Sequence, residues 1–136
     1  MVQKVEKPWG HEIRWAVNEK YLGKILFIKS GQRLSKQYHE VKDETIYVLE
    51  GSLLLEYGPN IEAYSSSPDP IREVLHAGTA RRIRPGTIHR FCAELGDVSL
   101  LEVSTPEIND VVRMEDDYDR EKETDIESLY IVYGGD

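Results

Sequence analysis

Residues 31–51 read GQRLSKQYHEVKDETIYVLEG, and this stretch decides the fold. Its second half, TIYVL at 45–49, is a dense β-branched and aromatic run that ends at Glu50-Gly51-Ser52, the signature of a strand entering a hairpin turn. In the first half Gln37 and His39 lie two apart, so on a strand both side chains leave the same face. Glu44 follows five residues after His39. A turn through residues 40–43 folds the next strand back antiparallel and brings Glu44 beside that pair.

Strand signals continue outward from this point. Residues 22–29 (LGKILFIK) alternate roughly between apolar and polar, and Ser30-Gly31-Gln32 reads as the turn after them. Residues 53–57, 72–76, 80–84, 88–92 and 98–104 are further short strands separated by Gly or Pro. Short strands at such regular spacing describe an all-β sandwich or barrel. Residues 57–70 (YGPNIEAYSSSPDP) read as a long polar loop between two halves of the barrel, since neither half buries a core alone. Beyond Pro106 the pattern weakens, and residues 121–130 suit a short helix with Ile126 and Leu129 on one face. The expected organisation is a single domain over residues 1–136. It has an N-terminal arm (1–19), a barrel at about 20–105 and a C-terminal tail (106–136) that is helical or irregular.

Far from the first motif, His89 sits in RPGTIHRF directly after a Pro-Gly turn. If it enters the same barrel as Gln37, His39 and Glu44, two nitrogen and two oxygen donors converge. That mixture suits Zn²⁺, and also Mn²⁺ or Fe²⁺. A lone buried histidine is more often a core residue satisfied by a hydrogen bond, and His11 and His76 are read that way or as exposed.

Composition narrows the remaining classes. A chain of 136 residues, 40% hydrophobic and 31% charged, is within the globular range. No apolar run approaches the ~20 residues that cross a bilayer, and the lysines near the start lead into no apolar stretch, so neither a membrane span nor a secretory signal is expected. One cysteine, Cys92, excludes an internal disulfide and fits a reducing compartment, so the cytoplasm is the expected location. The net charge of −8 argues against a nucleic-acid partner, which would require clustered Lys and Arg. Arg72, Arg81, Arg82, Arg84 and Arg90 nevertheless form a locally basic stretch that would serve a small anionic ligand or remain solvated. The acids Glu115, Asp116, Asp117 and Asp119 are read as solvated surface.

The spacings of both motifs resemble those of the cupins. The first cupin motif runs Gly, five residues, His-x-His, three or four residues, Glu, six residues, Gly. Gly31, Gln37, His39, Glu44 and Gly51 match it at every spacing, with Gln37 in place of the first histidine. The second motif is matched by Gly78, Gly86 and His89, although Pro85 is displaced by one place and Ala93 replaces the final Asn. The resemblance implies a single-domain cupin, a double-stranded β-helix or jelly-roll barrel. It also implies one divalent metal ion held by Gln37, His39, Glu44 and His89, with Zn first and Mn, Fe or Ni as alternatives.

Gln-x-His, then Glu, then a distant His is similar to the zinc set of phosphomannose isomerases. The likeness is to the isomerase domain that ends the bifunctional mannose-1-phosphate guanylyltransferase/mannose-6-phosphate isomerases. It rests on Lys7-Pro8-Trp9-Gly10, on Leu34-Ser35-Lys36-Gln37-Tyr38-His39, on Pro85-Gly86-Thr87-Ile88-His89-Arg90, and on the closing run NDVVRMEDDYDR at 109–120. The nucleotidyltransferase half of those enzymes has no counterpart in this sequence. The implied activity is aldose–ketose isomerisation of a sugar phosphate, mannose-6-phosphate and fructose-6-phosphate being the leading pair. Alternatives are a non-catalytic cupin that binds metal and sugar, and an Fe²⁺ oxygenase using His39, Glu44 and His89.

For the proton carrier, His11, Lys24, Lys36 and His76 qualify by chemistry alone. Arg84 and Arg90 flank the His89 motif and are candidates for the phosphate, or are exterior charges. Arg90 follows His89 directly, so on a regular strand it faces away from the interior. Trp9 either closes the barrel mouth over the substrate or covers an open core edge. Cupins pair through exposed strands, which makes a homodimer the expected assembly.

Overall fold

Antiparallel strands that alternate in burial leave one face to be covered, and here two sheets cover each other. The computed structural model describes residues 2–63 and 69–118. They form eleven strands: β1 (Gln3–Lys7), β2 (Gly10–Val17), β3 (Leu22–Ile28), β4 (Lys36–Tyr38), β5 (Glu44–Glu50), β6 (Ser52–Asn60), β7 (Ile71–His76), β8 (Ala80–Ile83), β9 (Thr87–Cys92), β10 (Val98–Ser104) and β11 (Val112–Glu115). One sheet has the order β1-β2-β3-β10-β5-β8 and the other β11-β4-β9-β6-β7. The fold is the all-β jelly roll that the short, evenly spaced strands imply.

Leu26, Ile28, Ile46, Val48, Val98 and Leu100 of the first sheet meet Leu53, Leu55, Leu75 and Phe91 of the second in one core. Trp9 belongs to the same cluster. This apolar half of the barrel carries the packing. The other half, toward Lys24, Glu44 and His89, holds buried charge.

Strand pairing extends into both the N-terminal arm and the C-terminal tail. The N-terminal arm contains β1 and β2, which pair with each other and through β2 with β3. β2 (GHEIRWAV) does alternate, but it buries Glu12 and Arg14 and turns Ile13 and Trp15 outward, so the pattern is inverted. In the tail, residues 112–115 are a strand and not helical or irregular, because β11 has an edge to pair with: Val112 faces Tyr38 and Arg113 faces Gln37. The closing segment is clamped further by the Arg33 guanidinium on Asp117 at 2.7 and 2.9 Å and by the hydroxyl of Tyr118 on Gln32. The expected loop after Tyr57 is shorter than read, since β6 runs to Asn60 and a single 3-10 turn follows at Ile61–Ala63. The expected helix at 121–130 lies outside the described residues.

The motif glycine at the β5–β6 hairpin has a backbone reason. Gly51 has φ +81°, and a Cβ there would stand 2.2 Å from the carbonyl oxygen of Asp97. Gly31 has a similar φ of +84° but open space around it. Gly51→Ala must therefore displace backbone as well as adopt a left-handed conformation, whereas Gly31→Ala meets only the conformational cost of about 1–2 kcal/mol. Urea unfolding should show Gly51→Ala as clearly the more destabilised of the two, and equal midpoints would contradict this account of the hairpin.

Candidate metal centre

Three chain segments deliver the donors. β4 ends at Tyr38 and leads into His39, β5 opens with Glu44, and β9 carries His89. Gln37 lies opposite His89 in the β4–β9 register. The turn at 40–43 is held by one side chain, since the Asp110 carboxylate accepts the backbone N–H groups of Glu40, Val41 and Lys42 at 2.7–2.9 Å. Burial pushes the Asp110 carboxyl up, but these three hydrogen bonds outweigh it and hold the group below its ordinary value. A further bond, from the Gly86 N–H to the His39 carbonyl at 2.7 Å, ties the second glycine motif to the first.

The imidazoles are oriented by acceptors. His39 Nδ1 lies 2.6 Å from the Asp110 carbonyl and His89 Nδ1 lies 2.9 Å from the Thr87 carbonyl. A carbonyl can only accept, so both rings carry hydrogen on Nδ1 and each neutral ring presents a bare Nε2 lone pair. Both Nε2 atoms lie 3.3 Å from the same Glu44 oxygen. His89 Nε2 is buried without a hydrogen bond. Candidate donor atoms of His39, Glu44 and His89 all lie within 4.8 Å of one another, and each residue is at most 3% exposed. Three lone-pair donors facing one another without a shared proton repel unless a cation stands between them. The residues fit a divalent metal ion. Gln37 lines the same cavity, and its Oε1 accepts the Ser35 hydroxyl at 2.6 Å, which leaves a lone pair on that oxygen for a fourth contact.

Around the donors the cavity wall is charged. Glu12 Oε1 accepts from Arg14 Nε at 2.6 Å and stands 3.7 Å from Lys24 Nζ. Lys42 Nζ lies 3.2 Å from Glu102 and 3.5 Å from the second oxygen of Glu44. All six residues are under a tenth exposed. Burial pushes the Glu44 carboxyl up, yet the Lys42 ammonium holds it well below the usual range. Glu12 behaves alike: burial raises it, and the charges of Lys24, Arg14 and Lys7 with the Arg14 hydrogen bond bring it down to about 2.

The sequence-derived candidates separate cleanly. Lys24 and Trp9 line the cavity beside Gln37, His39 and Glu44. His11 is on the opposite face of β2, stacked on Phe27 at 5.2 Å between ring centroids. His76 bonds Ser52 on the exposed β6–β7 pairing, and Lys36 reaches Glu115 at 3.3 Å. None of these three lines the cavity. Arg84 is exposed in the turn before β9. Arg90 points out of the barrel, as its place after His89 requires, and donates to the carbonyls of Leu34 and Glu115. Besides Lys24, the cations that reach the cavity are Lys7, Lys42 and Arg113, accompanied by Glu12 and Glu102. Sequence reasoning missed them, although Lys42 stands two before Glu44 and Glu12 two before Arg14, same-face spacings on extended chain. Cys92 is buried, and burial pushes its thiol up to about 12, so it is not a nucleophile.

No protein-family model and no curated protein matches the chain. Solved structures do. The capsular polysaccharide assembling protein CapF from Staphylococcus aureus superposes with a TM-score of 0.68 at 14% identity over 85% of this chain. Only 33% of CapF is covered, so this chain spans about a third of that protein. KdgF from Halomonas sp. gives 0.62 at 19% identity, covering 78% of this chain and 86% of KdgF. An RmlC-like cupin from Shewanella frigidimarina gives 0.62 at 17% identity, covering 78% and 85%. At these identities the likeness shows the fold, and the fold is the cupin barrel. Among the described residues no helix is long and apolar enough to cross a membrane.

Two measurements test this geometry. Asp110→Ala removes the clamp on residues 40–42 and should weaken metal binding roughly 10–100-fold, as loss of an outer partner of a metal ligand typically does. Titration with Co²⁺ followed by its visible spectrum checks this, and unchanged affinity would show that the turn holds itself. Glu12 has a folded pKa below its unfolded one, so its contribution is present above about pH 4.5 and fades as pH falls toward 2. The shift corresponds to about 3 kcal/mol. Glu12→Gln should therefore be markedly less stable than wild type at pH 7, with the gap narrowing steadily below pH 4.5 in urea titrations. A gap independent of pH would remove the charge argument.

Proposed function

We propose that the chain is a metal-dependent sugar-phosphate isomerase that interconverts an aldose and a ketose phosphate, with mannose-6-phosphate and fructose-6-phosphate as the pair to test first. The observation that carries this reading is the convergence of His39 Nε2, His89 Nε2 and Glu44 Oε1 beside a cavity that His39, Glu44 and Gln37 line and whose walls hold paired charges. Zn²⁺ suits this donor set, with Gln37 as the neutral fourth ligand. When bound, the ion supplies a Lewis acid to the two adjacent sugar oxygens that share charge in an enediol. One carboxylate among three neutral donors leaves that centre net positive.

The surrounding residues supply the charge stabilisation that this chemistry needs. Moving a hydrogen between C1 and C2 places negative charge on one oxygen and then the other, and donors must already stand there. Lys42 is fixed between Glu44 and Glu102, so its ammonium sits at the metal-side wall without reorganising. Lys24, of the four proton-carrier candidates, is the one that lines the cavity, and Glu12 holds its ammonium at 3.7 Å. We assign Lys24 to donate to the sugar oxygen remote from the Lys42 wall. Lys7 and Arg113 also line the cavity and provide cationic donors for a phosphate, the task Arg84 and Arg90 are not placed to perform. Trp9, buried in the same wall, gives an apolar surface against the sugar carbons.

The test is direct. Purified zinc-loaded protein is incubated with mannose-6-phosphate and fructose-6-phosphate formation is followed, beside a His39→Ala/His89→Ala double variant. Turnover by the wild type and its loss in the variant are expected. Stoichiometric zinc in the wild type with no turnover on aldose phosphates would overturn the isomerase and leave a metal- and sugar-binding cupin.

A further inference from the structure

Isomerisation needs a base for the carbon-bound hydrogen, and the role of Glu102 rests on that reading of the cavity. Among the described residues three carboxylates line it, those of Glu12, Glu44 and Glu102. Two of them are committed elsewhere. Glu44 turns one oxygen to both imidazole Nε2 atoms at 3.3 Å and the other to Lys42 at 3.5 Å. Glu12 takes Nε and Nη2 of Arg14 on a single oxygen, both at 2.6 Å. Burial raises its carboxyl, but the charges of Lys24, Arg14 and Lys7 bring it down to about 2, which leaves a weak base.

Glu102 is held differently. Its Oε2 accepts from Lys42 at 3.2 Å, whereas Oε1 makes no hydrogen bond among the described residues. Nor is that oxygen sealed from solvent, so it opens on the cavity that Glu102 lines. The strand registers place it centrally. β10 runs between β3 and β5, and Glu102 stands directly opposite Lys24 on β3. On the other side it faces Ile46 of β5, one same-face step from Glu44. Diagonal neighbours of this kind lie about 7–8 Å apart. Lys24 and the Lys42 wall are the donors assigned to the two sugar oxygens, so the carbons that bear those oxygens lie over Glu102.

We propose that Glu102 is the proton carrier between C1 and C2. Its carboxylate takes the C2 hydrogen of the aldose as a proton. The pair left by that bond forms the C1–C2 double bond, and the carbonyl pair moves onto O1, which gains a proton to complete the enediol. In the second half the O2–H pair closes the C2 carbonyl, and the double-bond pair takes the proton back from the Glu102 carboxyl at C1. The proton that O2 releases balances the one that O1 gained. Lys42 stays on Oε2 throughout and keeps Oε1 aimed at the sugar.

Zinc-loaded full chains, wild type and Glu102→Gln, are compared on mannose-6-phosphate in D₂O. Wild type should isomerise and place deuterium at C1 of fructose-6-phosphate, because a carboxyl proton exchanges with solvent while the enediol lasts. Glutamine keeps an oxygen for Lys42 but is no base. Glu102→Gln should lose kcat by about 10²–10⁴-fold, with far less change in KM and a wild-type Co²⁺ spectrum. Formate, entering the space opened by Glu102→Ala, should return part of the turnover. A wild type that isomerises beside a Glu102→Gln chain keeping more than about a tenth of its kcat overturns the role of Glu102 and leaves the isomerase intact. Isomerisation with no deuterium at C1 signals hydride transfer and does the same. Turnover lost together with the Co²⁺ spectrum, and not returned by formate, makes Glu102 only a support for Lys42 and also overturns the role. A wild type with bound zinc and no turnover removes the isomerase reading itself, and the proton carrier with it.

Discussion

A carboxylate inside a β-barrel is tolerable only if positive charge reaches it, and the arrangement around Glu44 follows from that condition. One of its oxygens faces two imidazole nitrogens and the other faces the Lys42 ammonium. Lys42 is itself buried and needs an anion of its own, supplied by Glu102 on β10. A lysine that serves two carboxylates remains charged, since burial depresses it while Glu102 and Glu44 together raise it well above the ordinary lysine range. The requirement thus spreads from strand to strand until the interior charges balance.

That spread explains the division of the barrel into two halves. Toward Leu53, Leu55 and Leu100 the sheets meet through aliphatic side chains and the packing is stabilising in the ordinary way. Toward Glu12, Lys24, Lys42 and Glu102 the interior holds ion pairs, which contribute little net stability against apolar residues of similar size. A protein selected for stability alone would fill that half with leucine and valine. Charge retained at this cost is what sets this half apart, and it stands beside the histidines of the candidate metal centre.

The legible part of the sequence was the part that obeys period and spacing. Residues 45–49, 53–57 and 98–104 announced strands because β-branched and aliphatic residues run between turn residues, and all three became strands. His39, Glu44 and His89 were legible as a set because a motif with fixed spacings carried them into one place, and no local property of His89 would have done so. β2 was not legible as a barrel strand. Its period is right but its inner residues are Glu12 and Arg14, so hydrophobicity assigns the wrong face and the segment reads as an arm. β11 failed for a different reason. Four residues, half-buried and not apolar in pattern, become a strand only because β4 offers an edge. Arg84 and Arg90 misled through proximity in sequence, which on alternating strands is no guide to a shared face.

The same closing segment links the completeness of the fold to the completeness of the site. Asp110 acts twice, its carboxylate fixing the backbone of residues 40–42 and its carbonyl fixing the His39 ring. Two residues later the chain enters β11, whose Arg113 and the neighbouring Val111 line the cavity. The donor turn, one metal-side imidazole and part of the cavity wall are therefore ordered by residues 110–113, about 70 positions after the donors they serve. Without those residues the polar groups of 39–42 would lose their partners while remaining close to a buried carboxylate, a costly state that favours opening of the turn. The barrel core on the far side does not depend on this clamp, since its aliphatic contacts run among β3, β5, β6, β7, β9 and β10. Disturbance of the closing segment should thus reach the metal centre before it reaches the fold.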